Sequence, residues 1–181
     1  MIWLLAAAAW GMAEASFFFI VPDVLLTLAV LRLGPWRAVR LAVVAALAAA
    51  LTGGVLWGWA GHDAAAAHRA MLHVPAVGPD LLARVAWEFD HDWPLKLTLG
   101  AMTGAPYKLY AVEAGARHIA LLPFLAVSFA ARLLRFLLTI AVAAAGRALT
   151  IRLGRTSWQM PGWAIAWLIV YAVYFTIRAR A

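Results

Sequence analysis

Five ionisable side chains stand in stretches that are otherwise oily: Glu14, Asp23, Lys108, Arg132 and Arg135. A charge at the centre of a bilayer costs about 3 kcal/mol or more, so such residues persist where they are buried in protein, paired, or used. Ser128, Arg132, Arg135 and Thr139 are spaced i, i+4, i+7 and i+11, a single helical face. Two chemistries suit this set. A carboxyl group shielded from water can carry a proton near neutrality, which makes Glu14 and Asp23 the candidates for proton coupling. Guanidinium and ammonium groups grip anions, arginine through a planar fork that matches phosphate. Lys108, Arg132 and Arg135, with Ser128 beside them, are therefore the candidates for binding a phosphate. The plainer alternative is that acids and cations only pair with each other and hold the fold together. Glu113, near the end of its segment and closer to the membrane interface, is a weaker member.

Other chemistries lack their residues. The chain has no cysteine, which removes disulfides and thiolate sites. His62, His68 and His73 with Asp63 have no zinc spacing and read as a solvated loop, and Asp90-His91-Asp92 reads as an interfacial turn. Gly53-Gly54 is too little for a phosphate loop, and there is no G-x-S-x-G, H-E-x-x-H or Walker pattern. The expectation is a protein that is not an enzyme and uses neither metal nor cofactor.

Composition supplies the setting. Of 181 residues, 66% are hydrophobic and 13% charged, with ten tryptophans; mean hydropathy is +0.88. A soluble domain averages about half apolar and a quarter charged, so the water-soluble reading fails. Indole rings suit the two membrane interfaces. Net charge is +7, yet the basic residues fall between apolar runs and form no nucleic-acid patch. They read as topology signals and contacts to anionic headgroups. Met1-Ile2-Trp3 offers no positive start and Glu14 follows the first apolar run directly, which argues against a cleaved signal peptide.

These residues need a frame to hold them. Residues 2–31 form an apolar stretch interrupted by Glu14 and Pro22-Asp23. As one helix it would run about 45 Å, against a hydrocarbon core of roughly 30 Å. Two half-length helices folded back at Pro22-Asp23 fit better, which makes residues 1–33 a first re-entrant hairpin; one tilted, proline-kinked span is the alternative. A turn at Gly34-Pro35 carries Arg32, Arg37 and Arg40, and residues 41–61 form an uncharged transmembrane helix. Residues 62–93 make a polar, extracytoplasmic loop. In it Leu81, Leu82, Val85 and Phe89 mark one short interfacial helix, with Arg84 and Glu88 paired on its polar side. Residues 94–115 form the second broken segment, interrupted by Gly104 and Pro106 and closed by Gly115. Residues 119–146 and 156–177 are further spans, separated by a basic loop. The order of broken segment, basic turn and full span occurs twice, the pattern of inverted-repeat transporters whose broken helices meet at the midplane.

Glu14…Pro22-Asp23, then Gly104-x-Pro106-Tyr107-Lys108-x5-Ala114-Gly115, then Ser128-x3-Arg132-x2-Arg135-Phe136 resembles the DedA family of VTT-domain (SNARE-associated) membrane proteins, most closely its YqaA-like branch. The resemblance covers roughly residues 10–146. It implies two opposed re-entrant hairpins, and movement of undecaprenyl phosphate or a phospholipid between leaflets with dependence on the proton gradient. By position it matches Glu14 and Asp23 to the family's membrane-embedded acids and Lys108 to a basic place in the second hairpin, supplemented by Arg132 or Arg135. Two departures bear on the substrate. No glycine separates Pro22 from Asp23, and Lys108 stands where family members often carry arginines.

The expectation is an all-α, multi-pass protein of the bacterial inner membrane, with two opposed re-entrant hairpins and about three transmembrane helices. It would act as a proton-coupled lipid-phosphate flippase, with a membrane lipid and protons as partners, no nucleic acid, and homo-oligomerisation left open. The rivals are a proton-coupled transporter of a small solute and a structural or assembly protein; an intramembrane enzyme acting on lipid phosphates ranks last.

Overall fold

Runs of alanine and leucine free of proline keep backbone hydrogen bonds inside the helix, the arrangement an apolar surrounding demands. The computed structural model describes residues 1–181 apart from Phe17, Phe19, Ala76, Gly104, Arg180, Ala181 and the side chains of residues 177–179. The described residues are helical, with no strand among them. In order they are α1 (Ile2–Ser16), α2 (Asp23–Leu33), α3 (Pro35–His62), α4 (Ala64–Met71), α5 (Pro79–Phe89), α6 (Trp93–Thr103), α7 (Tyr107–Ala116), α8 (Leu121–Arg152) and α9 (Gln159–Ala179), with a 3-10 turn at Thr156–Trp158.

Among the described residues, α3 and α8 are long and apolar enough to cross a membrane. Both exceed the spans expected at 41–61 and 119–146. Gly34 alone separates α2 from α3: at φ +88° it takes a conformation that side chains resist, and Pro35 then starts α3 at its first turn. Pro123 falls within the first turn of α8, where its missing N–H breaks no bond, so the helix runs on through Arg147 to Arg152. The basic stretch expected as a loop is therefore mostly helical.

Helices α3 and α8 lie antiparallel. Leu121 and Leu125 pack near Gly54, while Phe136 and Ile140 join Leu41, Ala42, Ala45 and Ala46. Helix α1 runs beside the first half of α3, with Gly11 against the Ala45 carbonyl. Helix α1 ends at Ser16, and α2 starts at Asp23 and returns to Gly34. At the other end, Tyr107 at the start of α7 sits against Gly53, and Gly115 near its end against Trp57. The junctions between α1 and α2 and between α6 and α7, the two breaks, therefore lie near the middle of the long helices, approached from opposite ends. The packing is exchanged as well: α1 rests on α3 and α6 on α8, whereas α2 reaches α8 and α7 reaches α3.

Two apolar cores result. One joins α1, α2, the first half of α3 and Phe136 with Ile140. The other joins α7, the second half of α3 and the start of α8 with residues of α4 and α5. The polar loop expected at 62–93 is corrected here. It holds two helices, and Met71, Val74, Leu81, Val85 and Phe89 are buried in the second core. Asp63 caps α4, accepting from the Ala66 N–H at 2.9 Å. The Arg84–Glu88 pair forms at 2.9 Å, yet Glu88 is not on a polar side: it is buried and accepts from the Tyr110 hydroxyl at 2.5 Å.

Candidate functional site

The five singled-out charges occupy the seam between the two cores, all of them drawn in by the breaks or by α8. Glu14, on the last turn of α1, pairs with Arg132 of α8, and both are buried. The Arg132 guanidinium lies 4.6 Å from the Tyr107 ring centroid and 5.6 Å from that of Phe136, stacked on aromatic faces as desolvated arginines often are. Asp23 opens α2 at 1% exposure, where the helix N-terminus favours an anion. Its carboxylate accepts from Arg135 Nη2 at 2.9 Å and from the Thr139 hydroxyl at 2.8 Å. Arg135 also donates from Nη1 to the Ala101 carbonyl at 3.0 Å, so one guanidinium ties the first break to the end of α6.

Lys108 lies one residue into α7, after the second break, at 2% exposure. Its ammonium donates to the Phe18 carbonyl in the first break at 2.9 Å. The two broken segments therefore meet through this bond. Among the described residues Lys108 has no carboxylate within 4 Å, unlike Arg132 and Arg135. Two acids face three cations, which leaves the seam one positive charge in excess.

The first break is stitched by side chains from several helices. Trp10 Nε1 donates to the Ile20 carbonyl at 2.9 Å, the Tyr171 hydroxyl of α9 accepts from the Val21 N–H at 3.1 Å, and Lys108 takes the Phe18 carbonyl. Backbone groups freed at membrane depth need such partners, because lipid offers none. Helix α9 is further pinned by Trp163 and Trp167, whose indoles donate to the Thr27 hydroxyl oxygen at 2.9 and 3.0 Å.

Between the breaks lies a cavity of about 270 Å³. Glu14, Asp23, Lys108 and Arg135 line it, with Thr139 and Tyr171. A smaller cleft beside it takes Arg132 and Tyr107 as well. Ser128 lines neither. It is fully buried near Tyr107, and among the described residues neither hydroxyl has a partner in good hydrogen-bond geometry. Pro22 and Pro106 stand at the helix starts that follow the two breaks. Gly115, expected as a break, is inside α7. Its missing side chain lets α7 approach the Trp57 backbone, which an added Cβ would strike. Gly104 lies outside the described residues.

Two further corrections concern the end beyond this seam. Glu113, expected as a weaker member near the interface, is buried at 3% exposure between Arg117 and His68. His68 Nε2 approaches Glu113 Oε1 at 2.8 Å, so this histidine belongs to a packed ion cluster rather than a solvated loop. The sequence reading also missed Tyr171, Thr27 and Phe18 as contributors. The spacing of Trp163, Trp167 and Tyr171, four apart on one helical face, was the available signal for α9.

No protein-family model matches the chain, and no solved structure matches it. It is 30% identical over 183 aligned residues to an uncharacterized protein of Haemophilus influenzae, covering 91% of this chain and 84% of that protein. It is also 30% identical over 104 residues to an uncharacterized protein of Histophilus somni, covering 51% of this chain and 53% of the other.

Proposed function

For this chain, which belongs to the same family as the Haemophilus influenzae protein, we propose a transporter that moves a lipid phosphate between membrane leaflets, coupled to protons. In this reading α1–α2 and α6–α7 are re-entrant hairpins dipping from opposite faces, and α3, α8 and α9 are the three spans of an inner-membrane protein. The DedA resemblance is part of the same proposal. The observation that carries it is the cavity between the breaks, lined by Lys108 and Arg135 beside Glu14 and Asp23, in which Lys108 has a carbonyl oxygen and no carboxylate as its partner among the described residues. A phosphate entering there would exchange that carbonyl for a charge-assisted contact and take a second from Arg135. Protonation of Asp23 or Glu14 would release Arg135 or Arg132 from its carboxylate, which links proton uptake to anion binding.

The complete pairing of Glu14 with Arg132 and of Asp23 with Arg135 favours a second reading, in which the charges only fasten the hairpins. Leaflet exchange of a fluorescent phosphatidic acid in proteoliposomes, measured beside thermal unfolding, separates the two. Lys108→Met should stay folded, losing less stability than Arg132→Met, yet exchange lipid about tenfold more slowly or worse, the scale of one charge-assisted hydrogen bond. Undiminished exchange in folded Lys108→Met and Asp23→Asn protein would sink the transport reading.

A further inference from the structure

A second cavity, of about 420 Å³, lies between α2, α8 and α9. Its walls are mostly hydrocarbon, among them Leu31, Val142, Ala143 and Trp163. It shares Thr139, Trp167 and Val170 with the charged cavity, so the two adjoin at mid-depth. Its far end is polar: Arg147 lines it with Thr150 and Gln159, and the buried Arg147 Nε has no hydrogen-bond partner among the described residues. From Thr139 to Arg147 is eight residues of α8, about 12 Å at 1.5 Å per residue.

We infer that this groove holds the hydrocarbon chain of an anionic membrane lipid whose phosphate moves between Arg147 at the groove's outer end and the Lys108–Arg135 cavity at its inner end. The inference rests on the proposed function and extends it to the part of the substrate that carries no charge. An apolar groove alone would accept any apolar occupant. This one adjoins at its inner end the cavity that Lys108 and Arg135 line, and carries at its outer end a guanidinium N–H with no partner among the described residues. A helix of a second copy would answer neither charge. The groove is also held open by construction: the two indole bonds to Thr27 fix α9 against α2, and Gly146 and Gly162, which line the groove, present no side chain to it. An added Cβ at either glycine meets nothing within 4 Å. Larger side chains there would enter the groove without displacing the packing.

Those glycines supply the test. Purified full-length protein in detergent is titrated with phosphatidic acid brominated along its acyl chain, and quenching of tryptophan fluorescence is followed, since Trp158, Trp163 and Trp167 line the groove. Saturable quenching is expected for the wild type. Gly146→Leu and Gly162→Leu, each with a wild-type-like unfolding temperature, should bind roughly tenfold more weakly or worse. Brominated phosphatidylcholine should quench only without saturation. If both filled variants bind phosphatidic acid as the wild type does while Lys108→Met loses it, the groove is overturned and the central site stands. If Lys108→Met and the filled variants all bind normally, both readings fail. Equal, saturable quenching by phosphatidylcholine would overturn the anionic occupant.

Discussion

Glu14 and Arg132 form the most deeply withdrawn ion pair of the seam, roofed by Tyr107 and Phe136. Removing one partner leaves an uncompensated buried charge, which costs about 3–5 kcal/mol, whereas replacing both by neutral groups of similar size is often harmless. Glu14→Gln and Arg132→Met should each lower the unfolding temperature sharply, and the double variant should recover most of the loss. A thermal-unfolding double-mutant cycle in detergent reads this, and additive losses would contradict it. Lys108 is a different kind of residue. It gives up a single bond to a carbonyl, so its replacement should cost the fold less than breaking either ion pair and should weaken the proposed anion site. At the seam, stability and ligand chemistry are thus assigned to different cations, with Arg135 belonging to both through Asp23 and the cavity wall.

At the scale of elements, three glycines set how closely the broken segments approach α3. An added Cβ at Gly115 would strike the backbone of Trp57, at Gly11 that of Ala45, and at Gly53 the Tyr107 hydroxyl. Backbone cannot swing aside, so Gly115→Ala and Gly11→Ala should destabilise by about 1–3 kcal/mol or more, the range for overpacking. Gly53→Ala meets the far end of a side chain and should be milder in stability, while displacing Tyr107 from Arg132. Gly58→Ala, with nothing within 4 Å, should be near neutral. Unfolding temperatures of the four variants side by side check this order. Small residues matter here because helices in an apolar solvent gain by close van der Waals packing rather than by escape from water.

Across the whole molecule, charge is sorted to two poles. Arg32, Arg37 and Arg40 lie at the α2–α3 junction and Arg147, Arg152 and Arg155 around the end of α8, and the antiparallel packing of α3 and α8 brings these together. Residues 62–92 carry two arginines against five acids and lie at the other end. In the proposed membrane reading the positive-inside rule would put the arginine pole in the cytoplasm, with Arg178 and Arg180, after the final span in the sequence, running against that trend. Because the chain has no cysteine, single cysteines can report sidedness directly. A membrane-impermeant thiol reagent added outside intact cells should label positions 80 and 92, and should label positions 37 and 155 only after the membrane is opened. Position 2 should behave like position 37, because a re-entrant α1–α2 hairpin begins and ends on one side. Labelling of position 2 from outside would mean that α1 crosses the membrane.

The sequence by itself determined the helical class, the two interrupted segments and the identity of the buried charges. Each of these follows from local properties: apolar runs, proline positions, and the energetic oddity of Asp23 or Lys108 in oily surroundings. It also suggested that the breaks should meet, since neither could satisfy its own polar groups. What it left undecided was partnership. Which acid takes which arginine depends on the rotation of α8 against α1 and α2, and that is set by non-local packing of Phe136 and Ile140 into the first core. Gly115 read as a break because a glycine at a segment end has the same local signature whether it ends a helix or admits a neighbour. Glu88 and His68 read as exposed for a similar reason: the burial of Glu88 and the partial burial of His68 are created by α4 and α5 folding onto α7, contacts between residues far apart in the chain. Tertiary structure alone made the cavity, because its walls come from both breaks, α8 and α9, and no one stretch of sequence contains them.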